Sequence, residues 1–355
     1  MTLKLNKVCE LEDFTDPDLA AVIRDVGQHK LARLPSFPKG AEHRKDWEVA
    51  MAVLALRWFG ALEPDSMVLG VAAGAEDTLF YLTRHVRQVF ATDRYLDAKE
   101  WAPEAPMSLL VEPSAVAPYD FDAERLVVQH MDARHLLYPD DTFDGIFSSG
   151  SIEHVGELTD VANVAYEMGR VLKPGGVLSL STELRLSGPP GGIGWPGQTL
   201  VLSPENLQRY IVEASGLELV DELQTTLSPV TMATRQSLNG AIEDRRERIS
   251  RAAAEGDCAE FTCWTFPHLV LEHGGYELTS VHLTLRKTDA YPTSPNDWAA
   301  PSAATLEAIH EHNMGLLTRD SSPEQAPPPA SDGSRPKRAP RPRWGGRGGG
   351  DSVNL

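Results

Sequence analysis

The spacing of apolar residues changes character along the chain. Up to about residue 62 it follows helical periodicity. Asp16-Pro17-Asp18 starts a helix through Leu19, Val22 and Ile23, and His43 to Leu62 predicts a second. Pro35 and Pro38 break the chain between them. From Ser66 to about Thr182, short apolar runs bounded by polar, Gly or Pro residues alternate with helical stretches. The runs Met67–Val71, Val89–Thr92, Leu126–His130, Gly145–Ser149 and Val177–Ser181 predict strands, and Asp77–Val86 and Leu158–Leu172 predict helices between them. That alternation predicts an α/β fold, a mostly parallel, doubly wound sheet covered by helices on both faces.

Residues 183 to about 287 add further elements. Gly188-Pro189-Pro190-Gly191-Gly192 is a loop, Ser203-Pro204-Glu205 starts a helix with proline at its first position, and Gln236–Ala254 is a charged helix. Strand-like runs at His268–Leu271 and Leu278–Leu285 flank Glu272-His273-Gly274-Gly275-Tyr276 and predict an antiparallel hairpin at the sheet edge. After about Asp320 the Pro-, Gly- and Ser-rich composition cannot bury enough apolar area to offset ordering, and it reads as disordered. The expected organisation is therefore a helical N-terminal lid (1–62), one main domain (63–287) with an insertion at about 228–260, an extension (288–319) and a tail (320–355).

Composition changes little: 41% apolar and 24% charged residues are ordinary for a globular protein of 355 residues. Residues Met1 to Glu10 carry no long apolar run, and Met51–Leu62 is interrupted by Arg57 and too short to span a bilayer. A cytoplasmic protein without membrane partners is expected. Charge is more informative. The net −18 divides unevenly, because residues 320–355 hold six basic and four acidic side chains and leave −20 on the remainder. So acidic a body repels phosphate backbones and argues against a nucleic-acid partner. Cys9, Cys258 and Cys263 form neither a disulfide framework nor a zinc pattern, and no metal site is expected.

Candidate chemistry begins at Val68-Leu69-Gly70-Val71-Ala72-Ala73-Gly74-Ala75-Glu76, a strand, a small-residue turn and a helix start. Small side chains let backbone approach a ligand, although a turn of this kind also occurs with no ligand. Asp93 lies nineteen residues after Gly74, at the tip of the next strand. There a carboxylate can accept both hydroxyls of a ribose; alone it would read as a helix cap.

Three further segments carry a family resemblance. Asp132-Ala133-Arg134-His135-Leu136-Leu137-Tyr138-Pro139-Asp140-Asp141-Thr142-Phe143-Asp144 resembles the signature after the third strand of class I S-adenosylmethionine (SAM)-dependent methyltransferases, in their type-11 branch. Ile146–Val155 is similar to the fourth-strand motif, and Arg170–Leu178 to the turn into the fifth strand. The likeness spans about residues 66–182 and implies a Rossmann-like fold with SAM as cofactor. It implies that Ala72, Ala73, Gly74 and Glu76 surround the methionine part, Asp93 the ribose, Asp132 and Ala133 the adenine, and Ser149 and Gly150 the floor beneath the sulfonium. Two departures stand out. The family has an acid where this chain has Gly70, and glycines where it has Ala72 and Glu76. Glu76 is the candidate to supply the missing charge.

His154, just after the fourth strand, is the candidate general base, since imidazole titrates near neutrality; a structural Glu-His helix start is the plainer reading. Trp195 and the Trp264/Phe266/His268 set are candidates to line an acceptor pocket, or simply core. The resemblance and the acidic body together predict an O-methyltransferase for a small-molecule acceptor such as a sugar, glycan precursor or natural product. A nucleic-acid or protein methyltransferase guided by the basic tail, and a non-catalytic partner protein of the same fold, stay open.

Overall fold

A computed structural model describes residues 3–96, 104–190, 192–193, 199–254, 264–289 and 291. The expectations for Trp195, Cys258, Cys263 and the 320–355 tail lie outside the described residues. Strand β1 (Lys7–Val8) precedes helices α1 (Pro17–Val26), α2 (Gln28–Leu31) and α3 (Arg44–Trp58). Strands β2 (Met67–Val71), β3 (Gln88–Asp93) and β4 (Leu126–His130) follow, with α4 (Asp77–Leu82) after β2 and α5 (Ser108–Val111) before β4. Next come β5 (Phe143–Ser149), α6 (Leu158–Val171) and β6 (Leu172–Ser187). The short elements β7 (Gly192–Ile193), β8 (Thr199–Leu200), α7 (Pro204–Leu207), β9 (Glu218–Leu219), α8 (Pro229–Met232) and β10 (Gln236–Ser237) lead to α9 (Leu238–Ala254). The hairpin β11 (Leu271–His273) and β12 (Tyr276–Arg286) closes the series.

One sheet runs β10-β11-β12-β6-β5-β2-β3-β4, with β1 and β9 also paired to β12. Strands β6, β5, β2, β3 and β4 are mutually parallel, and β12 runs antiparallel to β6. The fold is thus the α/β, mostly parallel sheet that the alternation predicts. Gly274 and Gly275, both at positive φ, make the two-residue turn between β11 and β12, as such hairpins require.

Two large apolar clusters form most of the core. One packs α1, α3 and α4 through Leu19, Trp47, Leu54, Leu79 and Phe80; the other gathers α6 through Val161, Ala165 and Met168. A smaller third one packs Leu238 and Ile242 of α9 on Trp264, Leu271 and Leu278. Helix α3 is buried almost all round and lies against β5, β6 and β12. A helix enclosed on every side has no single apolar stripe. The N-terminal region therefore does more than cover the domain, because α3 is part of its core.

Several boundaries differ from expectation for tertiary reasons. Lys7–Val8 pair with His282 and Val281, so a strand sits in the stretch expected to be helical; two residues are too few to show a period. Strand β6 continues to Ser187 because β12 pairs along it. The strand expected at His268 begins only at Leu271, since His268 bridges to His43 instead. Gln236 and Ser237 pair with β11, which delays the charged helix to Leu238.

Candidate active site

From β2 the chain winds outward through β3 and β4, then returns to place β5 on the other side of β2. This reversal opens a crevice at the carboxyl ends of the strands. A cavity of about 730 Å³ lies there. Ala72, Ala73, Gly74 and Glu76 enter it from the turn after β2, and Asp93 from the end of β3. Asp132 and Ala133 follow β4, Ser149 ends β5, and Gly150 and His154 follow it. All ten residues singled out in the sequence thus share one wall.

The turn after β2 is tightly held. Gly74 has φ +49°, and a Cβ on it would stand 2.3 Å from the Glu104 carbonyl oxygen, so only glycine fits. Its N–H donates to Asp93 Oδ2 at 2.8 Å, while the Tyr95 hydroxyl donates to its carbonyl at 2.8 Å. The Ser151 hydroxyl donates to the Ala72 carbonyl at 2.8 Å and ties the β2 and β5 loops together. Ala72 keeps φ 48°, a left-handed conformation that costs a non-glycine residue about 1–2 kcal/mol. Gly70 is glycine for a different reason: a Cβ there would lie 2.7 Å from Phe147 Cζ and 2.8 Å from Ala73 Cβ. The strand-end acid of the resembling family has no room here.

Burial raises the pKa of Asp93, opposed by the Gly74 and Arg94 N–H groups that donate to it. Burial also acts to raise Asp132, but Arg134 outweighs it and holds that carboxyl below its usual range. Arg134 Nη2 lies 2.7 Å from Asp132 Oδ2, and its Nη1 reaches Asp160 at 3.3 Å. Asp132 therefore faces the cavity as one half of an ion pair, a partner the sequence did not suggest.

The opposite wall comes from the N-terminal helices. Ile23 and Val26 of α1, Gly27, Lys30 of α2, and Lys45, Asp46 and Val49 of α3 line the cavity. None was expected at the site. Lys45 Nζ donates to the Ser149 carbonyl at 2.5 Å and to Glu48 Oε2 at 3.1 Å, and lies 4.0 Å from Glu76 Oε2. Burial works against its charge, yet Glu48 and Glu76 outweigh that and raise its pKa. Six carboxylates and four cations line the cavity, so its field favours a ligand with net positive charge.

Behind His154 lies a buried ionic network. His154 Nδ1 is 3.1 Å from the Thr199 hydroxyl, and Nε2 is 3.9 Å from Glu153 Oε1. Glu153 accepts from the Thr182 hydroxyl at 2.8 Å, and Glu183 is ion-paired with the fully buried Arg44. Burial, with the Glu183 charge beside it, pushes the Glu153 carboxyl well up. Both carboxylates cannot readily ionise here at once.

Trp264, Phe266 and His268 do not reach the cavity. They pack around His43, whose ring stacks on His268 at 4.6 Å between centroids. Burial holds His268 down to about 3 and His43 well below its ordinary value, so both rings are neutral. His43 Nδ1 accepts the Lys45 N–H at 3.0 Å and caps α3. The aromatic group therefore positions Lys45 from outside the site.

Asp77, on the cavity wall, is held up to about 7 by burial, with Asp46 and Glu76 adding to the effect and Lys30 opposing it. Its folded pKa exceeds the unfolded 3.8, so the native state binds the extra proton between these values. Its contribution to stability is then full below pH 3.8 and fades as pH rises to about 7. Asp77→Asn is expected to flatten the fall of melting temperature across that window and to be the more stable protein at pH 8. A wild-type slope retained in the variant would place the titration elsewhere.

Residues 69–180 match the family described as a methyltransferase domain. A 27-O-demethylrifamycin SV methyltransferase of Amycolatopsis mediterranei is 29% identical over 178 residues, 47% of this chain and 60% of the relative. The match thus spans less than two thirds of that enzyme. Among solved structures, a geranyl diphosphate C-methyltransferase from Streptomyces coelicolor is 13% identical, with 81% of this chain and 90% of the other covered at a TM-score of 0.41. A Burkholderia thailandensis 1,6-didemethyltoxoflavin-N1-methyltransferase is 18% identical, with 76% and 89% covered at 0.39. A methyltransferase domain of this kind takes SAM as cofactor. The cavity suits such a molecule, which carries net positive charge: carboxylates outnumber cations on its lining, and Asp93 and Asp132 face it at the strand ends.

Proposed function

We propose that this chain, whose residues 69–180 are a class I SAM-dependent methyltransferase domain, methylates a hydroxyl oxygen of a small molecule such as a sugar, glycan precursor or natural product. When bound, SAM supplies an electrophilic methyl group on a sulfonium. The chain's own residues would hold and orient it: Asp93 the ribose hydroxyls, Asp132 and Ala133 the adenine, and the Ala72–Glu76 turn the methionine part. Ser149 and Gly150 would form the floor beneath the reacting centre.

The observation that carries the acceptor class is the wall opposite that turn. Ile23, Val26 and Val49 give it an apolar face, and the cavity of about 730 Å³ is of the size small-molecule sites have. Methyl transfer is an in-line displacement, so positioning supplies much of the rate, and an alcohol acceptor also needs somewhere to leave its proton. His154, with Glu153 beside it, is the residue proposed to take that proton. The Amycolatopsis relative is named for an O-methylation of a natural product, which supports an oxygen acceptor here.

The test supplies purified protein with SAM and a panel of hydroxylated natural products and sugars, follows S-adenosylhomocysteine formation, and locates the new methyl by NMR. Turnover at a hydroxyl that His154→Ala lowers by about 100-fold is expected. Transfer to nitrogen or carbon would overturn the oxygen assignment, and transfer only to RNA or protein would overturn the acceptor class.

A further inference from the structure

The acid that the resembling family places at the end of β2 is absent, and Phe147 fills the space where it would stand. The amino-acid end of the cofactor carries one positive and one negative charge on neighbouring groups, and both need partners in a partly desolvated site. One opposite-charge pair faces the cavity beside the Ala72–Glu76 turn. It is Glu76 and Lys45, 4.0 Å apart.

Both side chains are held from behind. The Thr78 hydroxyl donates to Glu76 Oε1, and the Ser149 hydroxyl approaches the same oxygen at 3.5 Å. Lys45 is set by the His43 cap on its backbone, and its ammonium by the Ser149 carbonyl and Glu48. An ammonium has three N–H bonds. Two go to these acceptors, and Glu76 at 4.0 Å is too far for the third. One donor and one carboxylate oxygen, of opposite charge, thus remain without a hydrogen bond where the two walls come within 4.0 Å of each other.

We propose that Lys45 and Glu76 together bind the amino-acid end of the cofactor, Lys45 taking the α-carboxylate and Glu76 the α-ammonium. The assignment rests on the methyltransferase reading above. It makes α3 a part of the cofactor site, and it makes the ion pair the functional replacement for the acid that Phe147 excludes. The other lysine on this wall, Lys30, is ion-paired with Asp46. A ligand carboxylate would otherwise meet a cavity in which carboxylates outnumber cations. Glu48 holds Lys45 against the strand end without lining the cavity itself.

Titration calorimetry on the full chain tests this with two ligands that share the adenosine part: S-adenosylhomocysteine, and 5′-methylthioadenosine, which lacks the amino-acid end. Lys45→Met and Glu76→Gln are each expected to weaken S-adenosylhomocysteine about 10- to 100-fold, the effect of losing a hydrogen bond to a charged group. Binding of 5′-methylthioadenosine stays within about 2-fold of the wild type, and Lys45→Arg restores most of the loss. Equal weakening of both ligands would overturn the proposal by making Lys45 a structural support for the Ser149 strand end. Tighter S-adenosylhomocysteine binding by Lys45→Met would overturn it in the opposite sense, with the lysine competing for the place of the cofactor's ammonium. A wild type that binds neither ligand would instead remove the methyltransferase reading, and this assignment with it.

Discussion

Replacing Asp93 by alanine is expected to weaken SAM binding about 100-fold, the largest single effect on the cofactor. A carboxylate that accepts two hydroxyls loses about 1.5 kcal/mol or more for each charged hydrogen bond, so roughly 3 kcal/mol in all. The same oxygens accept the Gly74 and Arg94 N–H groups, which places the turn after β2 under the control of this one side chain. Asp93→Asn is the informative companion, because its amide can keep one acceptor while losing the charge. Calorimetry with SAM and S-adenosylhomocysteine reads both variants. Affinity within 3-fold of the wild type in Asp93→Ala would remove Asp93 from the ribose and leave it as a support for the turn.

Arg44→Met is expected to lower the stability of the whole domain by about 3–5 kcal/mol, the cost of leaving a buried charge without its partner. The guanidinium is fully buried and pairs with Glu183, and it also acts on Glu48 and Glu153. Without it these carboxylates face one another across α3, β6 and the turn after β5. The double variant Arg44→Met/Glu183→Gln should recover part of the loss, since it removes a second charge from the same network. Urea unfolding at pH 7 reads both, and a shifted midpoint at constant slope would identify a stability change. A loss under 1 kcal/mol in Arg44→Met would mean that water or other side chains already satisfy these carboxylates.

The two effects differ in kind, and the site explains why. Asp93 stands at the open end of the parallel strands, on the cavity, where the proposed cofactor would meet it. Arg44 acts inside the domain, where α3 brings its charge under the strand ends that carry Ser149 and Glu183. Lys45 is the next residue along that helix and turns the other way, into the cavity. One turn of α3 therefore stabilises the core on one side and shapes the cavity wall on the other.

Much of the cavity wall built from the strand ends is legible in the sequence. Alternating strand and helix periods over residues 66–182 imply parallel strands, because a parallel pair needs a crossover long enough for a helix. Parallel strands gather their carboxyl ends at one edge, so Ala72–Gly74, Asp93, Asp132 and Ser149–Gly150 follow from position in the chain once strand order is known. Local chemistry is also readable at the hairpin, where Gly274-Gly275 satisfies a turn that needs positive φ at both residues.

The wall built from the N-terminal helices is not legible in that way. Helix α3 is buried almost all round, so its pattern shows a helix without showing which face meets a cavity. Lys45 looks like any helical lysine until β5 places the Ser149 carbonyl, 104 residues away in sequence, within 2.5 Å. Gly70 reads as a lost acid, and only the Phe147 ring explains why no side chain fits there. Trp264, Phe266 and His268 can be read from composition as a pocket lining or as core, and the bridge between His43 and His268 decides for packing at the start of α3. What is local and periodic is written along the chain: the strands, the helices between them, and the residues at their carboxyl ends. Which distant charges meet is settled by tertiary packing, because pairs such as Lys45 with Ser149 and Arg44 with Glu183 depend on how α3 lies against the sheet, and no short-range pattern records that.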